Sequence, residues 1–407
     1  MHKIKYSKTF LLGFGFFAIS ILWSVYNAFI PKILSNFISS ATIIGFIMTI
    51  DNYFAMFIQP SVGIMSDKIN TRYGKRMPFI MVGMPISIIL VILLANYSSF
   101  IMLITCLVLM NLSMSIYRSP VIALMPDITY KENRSKANSI INFMGGIGAV
   151  IAYYAGSKLW NINQKYPFYL AALLMLISFI VLLKYINEKR DVIEYEKNEN
   201  RGSFIRNFIS VGKNKNTVFL LAAICTWFIA FSGIEALFTL YGINFLKVQT
   251  SAATTSFLFI SVSFLIFAIP AGIIGTKIGK KKTITIGLVG LIASFAVIVF
   301  LRNLTVIRAL FLLCGLFWAF ININSYPYVT DMAPKGQTGT YTGFYYFSSS
   351  VAAIISPPLL GAVIDLIGYK YMFVYGMVFF LISLLLFINI KSTGDNKLNE
   401  NMEQNIT

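Results

Sequence analysis

An all-α membrane protein, with twelve transmembrane helices in two pseudo-symmetric six-helix bundles, is the fold the sequence predicts, and three observations predict it. The 407 residues are 57% hydrophobic and only 12% charged, a balance unsuited to a surface facing water on all sides. The apolar residues fall in about twelve runs of roughly 18–24 residues, each long enough to cross a ~30 Å hydrocarbon layer at ~1.5 Å per residue. A polar stretch separates the sixth run from the seventh, and short sequences recur on either side of it.

Taken in order, the spans are predicted near residues 10–30, 43–65, 78–95, 100–123, 139–159, 167–186, 217–240, 253–275, 283–301, 305–328, 341–364 and 371–390. The first is too long for a signal-peptide core and lacks a small-residue cleavage site, so it is expected to remain as a span. Residues 187–216 are rich in Lys, Glu, Asn and Arg, cannot bury apolar surface, and read as a cytosolic linker. The expected division is therefore a first bundle at 1–186, the linker at 187–216, a second bundle at 217–391 and a cytosolic tail at 392–407.

Of the 33 Lys and Arg residues, only Lys32, Lys158, Lys165, Lys247, Arg302, Arg308 and Lys370 fall on what becomes the outer side. The inner excess places both termini in the cytosol and the chain in the cell membrane as a multi-pass protein. It also accounts for the net charge of +18 without nucleic acid as a partner. Cys106, Cys225 and Cys314 lie inside spans and offer no disulfide framework. The single histidine, His2, sits in the N-terminal tail, which excludes an intramembrane histidine relay and a histidine-based metal site. The phosphate-cradling sequence G-x4-G-K-[ST] does not occur, so ATP-driven transport is not expected. Neither an enzymatic activity nor a cofactor is expected.

The two halves read as copies. Gly63-Ile-Met-Ser-Asp-Lys-Ile, leading to Gly74-Lys75-Arg76 after span two, recurs as Gly272-Ile-Ile-Gly-Thr-Lys-Ile and Gly279-Lys280-Lys281 after span eight. Asp127 and Lys131 after span four match Asp331 and Lys335 after span ten, both 204 positions on. Repeated bundles of this kind enclose a cleft, and alternating exposure of that cleft is its usual use.

The loop Gly63-x-x-x-Asp67-Lys68-x5-Gly74-Lys75-Arg76 resembles the loop-2/3 signature of the major facilitator superfamily, with four extra residues before the terminal glycine. Gln59-Pro60-x-x-Gly63, Pro78-Phe79-Ile80, Arg118-Ser-Pro, Ala123-Leu-Met-Pro-Asp127, Arg134-Ser-Lys-Ala-Asn138 and Asn324-Ser-Tyr-Pro327 extend the resemblance to the sucrose-transporter group and its bacterial relatives, near the glycoside-pentoside-hexuronide:cation symporters. The second copy departs from the signature with Thr276 where an acid could stand, so any role of that acid is asymmetric. The resemblance implies an inner gate at Asp67 and Arg76 that holds the outward-facing state.

A gradient-driven transporter needs an ionisable group at depth, and among the fifteen acids only Asp51 and Glu235 sit well inside spans, with Asp365 at the edge of one. Asp51 is expected near the midplane, where coupling sites lie and where burial favours the neutral, protonated form. Asn52 and Gln59 on the same helix leave an oxygen-rich sodium site open. The resemblance favours a proton, because Gln59 stands where melibiose-type permeases carry an acid. The alternative for Asp51 is a packing acid bonded to a neighbouring helix.

Glu235 shares a four-residue stripe with Trp227, Phe231 and Thr239, and a carboxylate beside aromatic rings suits the hydroxyls and C–H face of a sugar. Its alternative is a hydrated acid near the headgroups, partnered by Lys247 or Lys32. Trp23, Tyr26 and Asn27, Asn138 and Asn142, and Trp318, Asn322 and Tyr326 form further polar and aromatic stripes, expected to bind cargo or else to join helices. Arg118 and Asp127 are expected as gate or packing partners at the inner side. Gly145, Gly146, Gly148, Pro357, Pro358 and Gly361 mark places of close helix contact or movement.

The expected function is secondary active transport, as a monomeric proton-coupled symporter of a sugar or glycoside in the lipid bilayer, with sodium as the alternative coupling ion. A proton-driven drug or metabolite exporter and a non-transporting sugar sensor are the competing readings. The short tails and the lack of a signalling domain weigh against the sensor.

Overall fold

The computed structural model describes residues 6–130, 134–192, 215–333 and 338–390. His2, Lys131, Lys335, most of the linker and the C-terminal tail lie outside the described residues, as do the side chains of Ser135 and Lys136. The described helices are α1 (Tyr6–Leu34), α2 (Ala41–Met48), α3 (Ile50–Lys68), α4 (Met77–Ala95), α5 (Phe100–Asp127), α6 (Arg134–Ile162), α7 (Tyr166–Tyr185) and the one-turn α8 (Glu188–Asp191). They continue as α9 (Lys215–Asn244), α10 (Thr250–Ile278), α11 (Lys280–Ile298), α12 (Leu304–Asp331), α13 (Thr338–Ile367) and α14 (Met372–Ile388). With α2 and α3 taken as one broken span, twelve are long and apolar enough to cross a membrane.

Many of the helices overrun the apolar stretches that locate them. The fourth span runs to Asp127 and the seventh to Asn244, about a turn beyond positions 123 and 240 where hydropathy falls. Backbone hydrogen bonding continues as long as residues keep helical dihedrals, whereas hydropathy reports only the part that meets lipid. Side chains near the predicted ends therefore lie deeper than the sequence implies.

The second span breaks at Thr49, although neither proline nor glycine stands there. The Thr49 hydroxyl donates to the Phe46 carbonyl at 2.9 Å, and its own carbonyl accepts from the amides of Asn52 and Tyr53 at 2.9 and 3.2 Å. A threonine hydroxyl competing for the carbonyls of the preceding turn is a recognised cause of helix bending. The break restarts the helix with Asp51 in its first turn.

Packing within the two halves follows one plan. In the first, α1 packs on α6 and α7, α3 on α5, and α4 on α5 and α7. In the second, α9 packs on α13 and α14, α10 on α12, and α11 on α12 and α14, which is the same set of span pairings six spans later. Small residues permit the close crossings. A Cβ at Gly148 would stand 2.8 Å from the Phe17 carbonyl, and one at Gly233 would stand 2.5 Å from the Ser356 hydroxyl in the equivalent α9–α13 pair.

The halves meet through α2 against α13, α10 against α6 and α1 against α9. The Asp365 carboxylate, near the end of α13, accepts from the Ser40 and Thr42 hydroxyls, both at 2.6 Å, and from the amides of Ala41 and Thr42 at 2.8 and 3.0 Å. Thr239 donates to the Ala28 carbonyl at 2.9 Å, and Ser157 and Thr254 share a hydrogen bond of 2.7 Å. A Cβ at Gly361 would stand 2.5 Å from the Ala41 carbonyl, and one at Gly45 equally close to that of Pro357. These contacts all lie toward the membrane face opposite the chain termini, so that face is sealed.

Candidate functional site

Three charged side chains converge near the middle of the bundle. Asp51 lies ten residues into its span and Arg118 and Glu235 each nine residues from a helix end, so helical rise puts all three ~13–15 Å from a face. Arg118 and Glu235, from opposite halves, line a cavity of about 350 Å³. The predicted site residues Trp23, Asn142, Phe231 and Trp318 also line it, joined by Ser20, Ser24, Tyr153 and Ser261, which no sequence pattern had marked. Phe231 and Trp318 stack with ring centres 4.1 Å apart and planes 3° apart, forming a flat apolar wall. The Arg118 guanidinium lies over the Trp23 ring at 5.4 Å.

Among the described residues neither Arg118 nor Glu235 makes a hydrogen bond or an ion pair. Lys32, an expected partner of Glu235, instead donates to Asn36 at 3.1 Å, and Lys247 does not pair with Glu235 either. Arg118 lies deeper than its expected place at the inner gate because α5 is longer than its apolar core.

Asp51 lies behind this cavity rather than in its wall, buried at 5% exposure. One carboxylate oxygen accepts from the Asn52 side chain at 3.2 Å, and the other has no partner. Arg118 and Glu235 both act on it electrostatically, so the acid senses the cavity without touching it. Tyr26, buried beside it, donates to the Ile47 carbonyl at 3.2 Å, just before the helix break. Asn111 stands near Tyr26 with its own amide nitrogen unpartnered. Sequence reading passed over Asn111 because hydropathy does not reveal which face of a long apolar helix points inward.

Other predicted residues sit elsewhere. Trp227 is fully buried against Phe228 and Phe387, because two steps of four residues rotate it ~80° from Glu235 on a helix of 3.6 residues per turn. Asn27 is buried outside the cavity wall, as Thr239 is, whereas Asn52, Gln59 and Asn322 are half-buried outside it. Tyr326 shares a hydrogen bond with Thr342 at 3.2 Å. The Asn142 amide donates to the Asn138 carbonyl at 2.8 Å, and both residues are exposed. Since Asn142 also lines the cavity, this stripe of α6 leads from the cavity toward the face that carries the termini.

At that face the loop residues are tied within each half. The Arg76 side chain donates to Asp127 at 2.9 Å, pairs with Asp67 at 2.5 Å, and also reaches the Ser66 hydroxyl. Burial works against its charge, but the hydrogen bond and charge of Asp127, with those of Asp67, outweigh it and raise its pKa. The second copy keeps a reduced form, with Lys280 paired to Asp331 at 2.5 Å, while Thr276 bonds only to its own helix. The Glu188 carboxylate, fully buried, accepts the amides of Lys75, Arg76 and Met77 at 2.8–2.9 Å and so caps the start of α4. Next to it, Asp191 pairs with Lys8 and Arg190.

A membrane-embedded cavity between two repeated halves, sealed at one face and lined by unpaired charges, is the arrangement of a carrier. The sequence matches the profile of the Major Facilitator Superfamily across residues 12–357. The chain belongs to the major facilitator superfamily. As a member it is a secondary transporter rather than an enzyme, acting on a small molecule from within the membrane.

It is 24% identical over 395 residues to an uncharacterized MFS-type transporter of Methanocaldococcus jannaschii, covering 93% of this chain and 94% of that one. Multidrug resistance protein 2 of Bacillus subtilis is 26% identical over 267 residues, covering 62% of this chain and 64% of that protein. The sucrose transport protein SUC3 of Arabidopsis thaliana is 29% identical over 134 residues, covering 27% of this chain and 22% of that protein. The structure of the nucleoside transporter NupG superposes with a TM-score of 0.78 at 14% identity, covering 95% of this chain and all of that one, a likeness of fold.

Proposed function

We propose that this superfamily member is a proton-coupled importer of a sugar or glycoside, working as a monomer by alternating access. The observation that carries the reading is the pairing of a buried acid, one of its oxygens unpartnered, with a cavity whose two unpaired charges come from opposite halves. A volume of about 350 Å³ falls within the ~300–1,000 Å³ of small-molecule sites. The stacked Phe231–Trp318 wall suits the C–H face of a ring, and Glu235, Asn142, Ser20 and Ser24 offer partners for hydroxyls.

Coupling follows from the position of Asp51. When it is ionised, its charge draws on the Arg118 guanidinium; when it takes a proton, that pull ends and Arg118 is released to the cavity. Proton binding thereby changes cargo affinity through a side chain that faces both. With the termini in the cytosol of a cell-membrane protein, the sealed face is the outer one and the structure is the inward-facing state. In this reading residues 187–216 are the linker between the bundles, Asp365 is an outer latch, and Asp67, Arg76 and Asp127 belong to the inner gate. The proton is preferred over sodium because Asn52 is the one described side-chain amide bonded to Asp51 and Gln59 stands two turns away.

The test is uptake by the purified protein in liposomes, with labelled glucosides, galactosides and pentoses offered under an imposed pH or sodium gradient. Accumulation of one of these under an inward proton gradient supports the reading. An exporter would instead move protons in the direction opposite to cargo, and accumulation under a sodium gradient alone would transfer the coupling role to that ion.

A further inference from the structure

Arg118 is a fixed charge in a place that taxes charge. A guanidinium does not discharge at any physiological pH, and one held in a membrane interior without a contacting carboxylate is costly. Its surroundings supply the Trp23 ring at 5.4 Å and the field of Asp51, but no acceptor at hydrogen-bond distance. The five N–H donors of its planar fork therefore border the cavity without an acceptor. Glu235 borders the same cavity from the other half as an acceptor without a donor.

We propose that the cargo carries a carboxylate, seated on the Arg118 fork, and presents hydroxyls to Glu235, which makes it a sugar acid rather than a neutral sugar. The planar fork matches a carboxylate in two parallel hydrogen bonds, a geometry that neutral hydroxyls do not reproduce. The cargo bridges the halves: its acid end is held by α5 and its hydroxyl end by α9. The ring between them lies against the Phe231–Trp318 stack. A neutral sugar would satisfy Glu235 and leave the arginine donors in the cavity without a charged partner. This proposal rests on the sugar reading above and narrows it.

Trp23 and Trp318 line the cavity, so quenching of tryptophan fluorescence in the purified full-length protein reports binding directly. Glucuronate, glucose and glucosamine share one ring and differ in charge. Glucuronate is expected to bind roughly tenfold or more tightly than glucose, the scale of a charge-assisted bidentate contact, with glucosamine weakest. Arg118→Gln is expected to abolish the preference for glucuronate, and Arg118→Lys to retain part of it. Should Arg118→Gln not fold, the order of the three sugars on the wild-type protein decides alone. Glucose or glucosamine binding as tightly as glucuronate would overturn the proposal while leaving the sugar reading in place. Silence from all three would overturn both.

Discussion

Replacing Asp365 with alanine removes the largest single group of hydrogen bonds across the sealed face. Its carboxylate holds four donors at 2.6–3.0 Å, two of them amides at the start of α2, so it caps a helix in the opposite half. Hydrogen bonds to a charged group contribute ~1.5–3 kcal/mol when well protected, and a charge at a helix N-terminus ~0.3–1 kcal/mol. Asp365 is exposed, and all four donors regain water when the face opens, so the net loss is nearer to ~2 kcal/mol for the whole cap. At ~1.4 kcal/mol per factor of ten, the ratio of open to sealed molecules rises about 30-fold. Fluorescence energy transfer between labels on cysteines introduced at Gln164 and Lys370, exposed on the same face in different halves, reads that ratio in single molecules. The native cysteines are buried or half-buried. A change smaller than about twofold in Asp365→Ala would refute the latch.

Other consequences follow from the same contacts. Arg76→Ala leaves the buried Asp127 without its cation, and thermal unfolding should report a loss of ~3–5 kcal/mol, the scale for breaking a buried pair. Gly361→Val should disfavour the sealed state, since even a Cβ would stand 2.5 Å from the Ala41 carbonyl; the same energy-transfer measurement should show a shift toward open molecules. Burial opposes the charge of Asp191, but its hydrogen bonds to Lys8, Arg190 and the Asn187 amide prevail and hold its pKa below the usual carboxylate value. A depressed folded-state pKa stabilises the protein above the unfolded value of ~3.9 and ceases to do so as pH falls through the folded one. The melting temperature of Asp191→Asn should therefore lie below wild type at pH 6 and converge with it as the pH drops below ~4.

The number of spans, their order and the repeat were legible because hydrophobic length and recurring motifs are properties of the chain itself. The pairing of Lys280 with Asp331 beside that of Arg76 with Asp127 bears out the matched positions read from the sequence. Depth was less legible. Arg118 and Glu235 were placed about a turn too near the surface, since helices run on past the residues that lipid selects. The break at Thr49 carried no proline or glycine to announce it, and it arises from a hydroxyl competing for a carbonyl two turns from Gly45 contacts at the other half. Asp365 was visible only as an acid at a span edge, because its partners lie more than 320 positions away. The cavity residues Ser20, Ser24 and Tyr153 lie in runs whose composition gives no inward-facing stripe, and only the packing of α1 on α6 and α10 on α6 selects their face.

The central claim is that Asp51 carries the coupling proton. Proteoliposomes loaded with a pH-sensitive dye and given a transported sugar or sugar acid without any imposed gradient test it most directly. Cargo entry should acidify the lumen in the wild-type protein, whereas Asp51→Asn should exchange cargo without moving protons. Acidification that persists in Asp51→Asn at the wild-type ratio of protons to cargo would contradict the account.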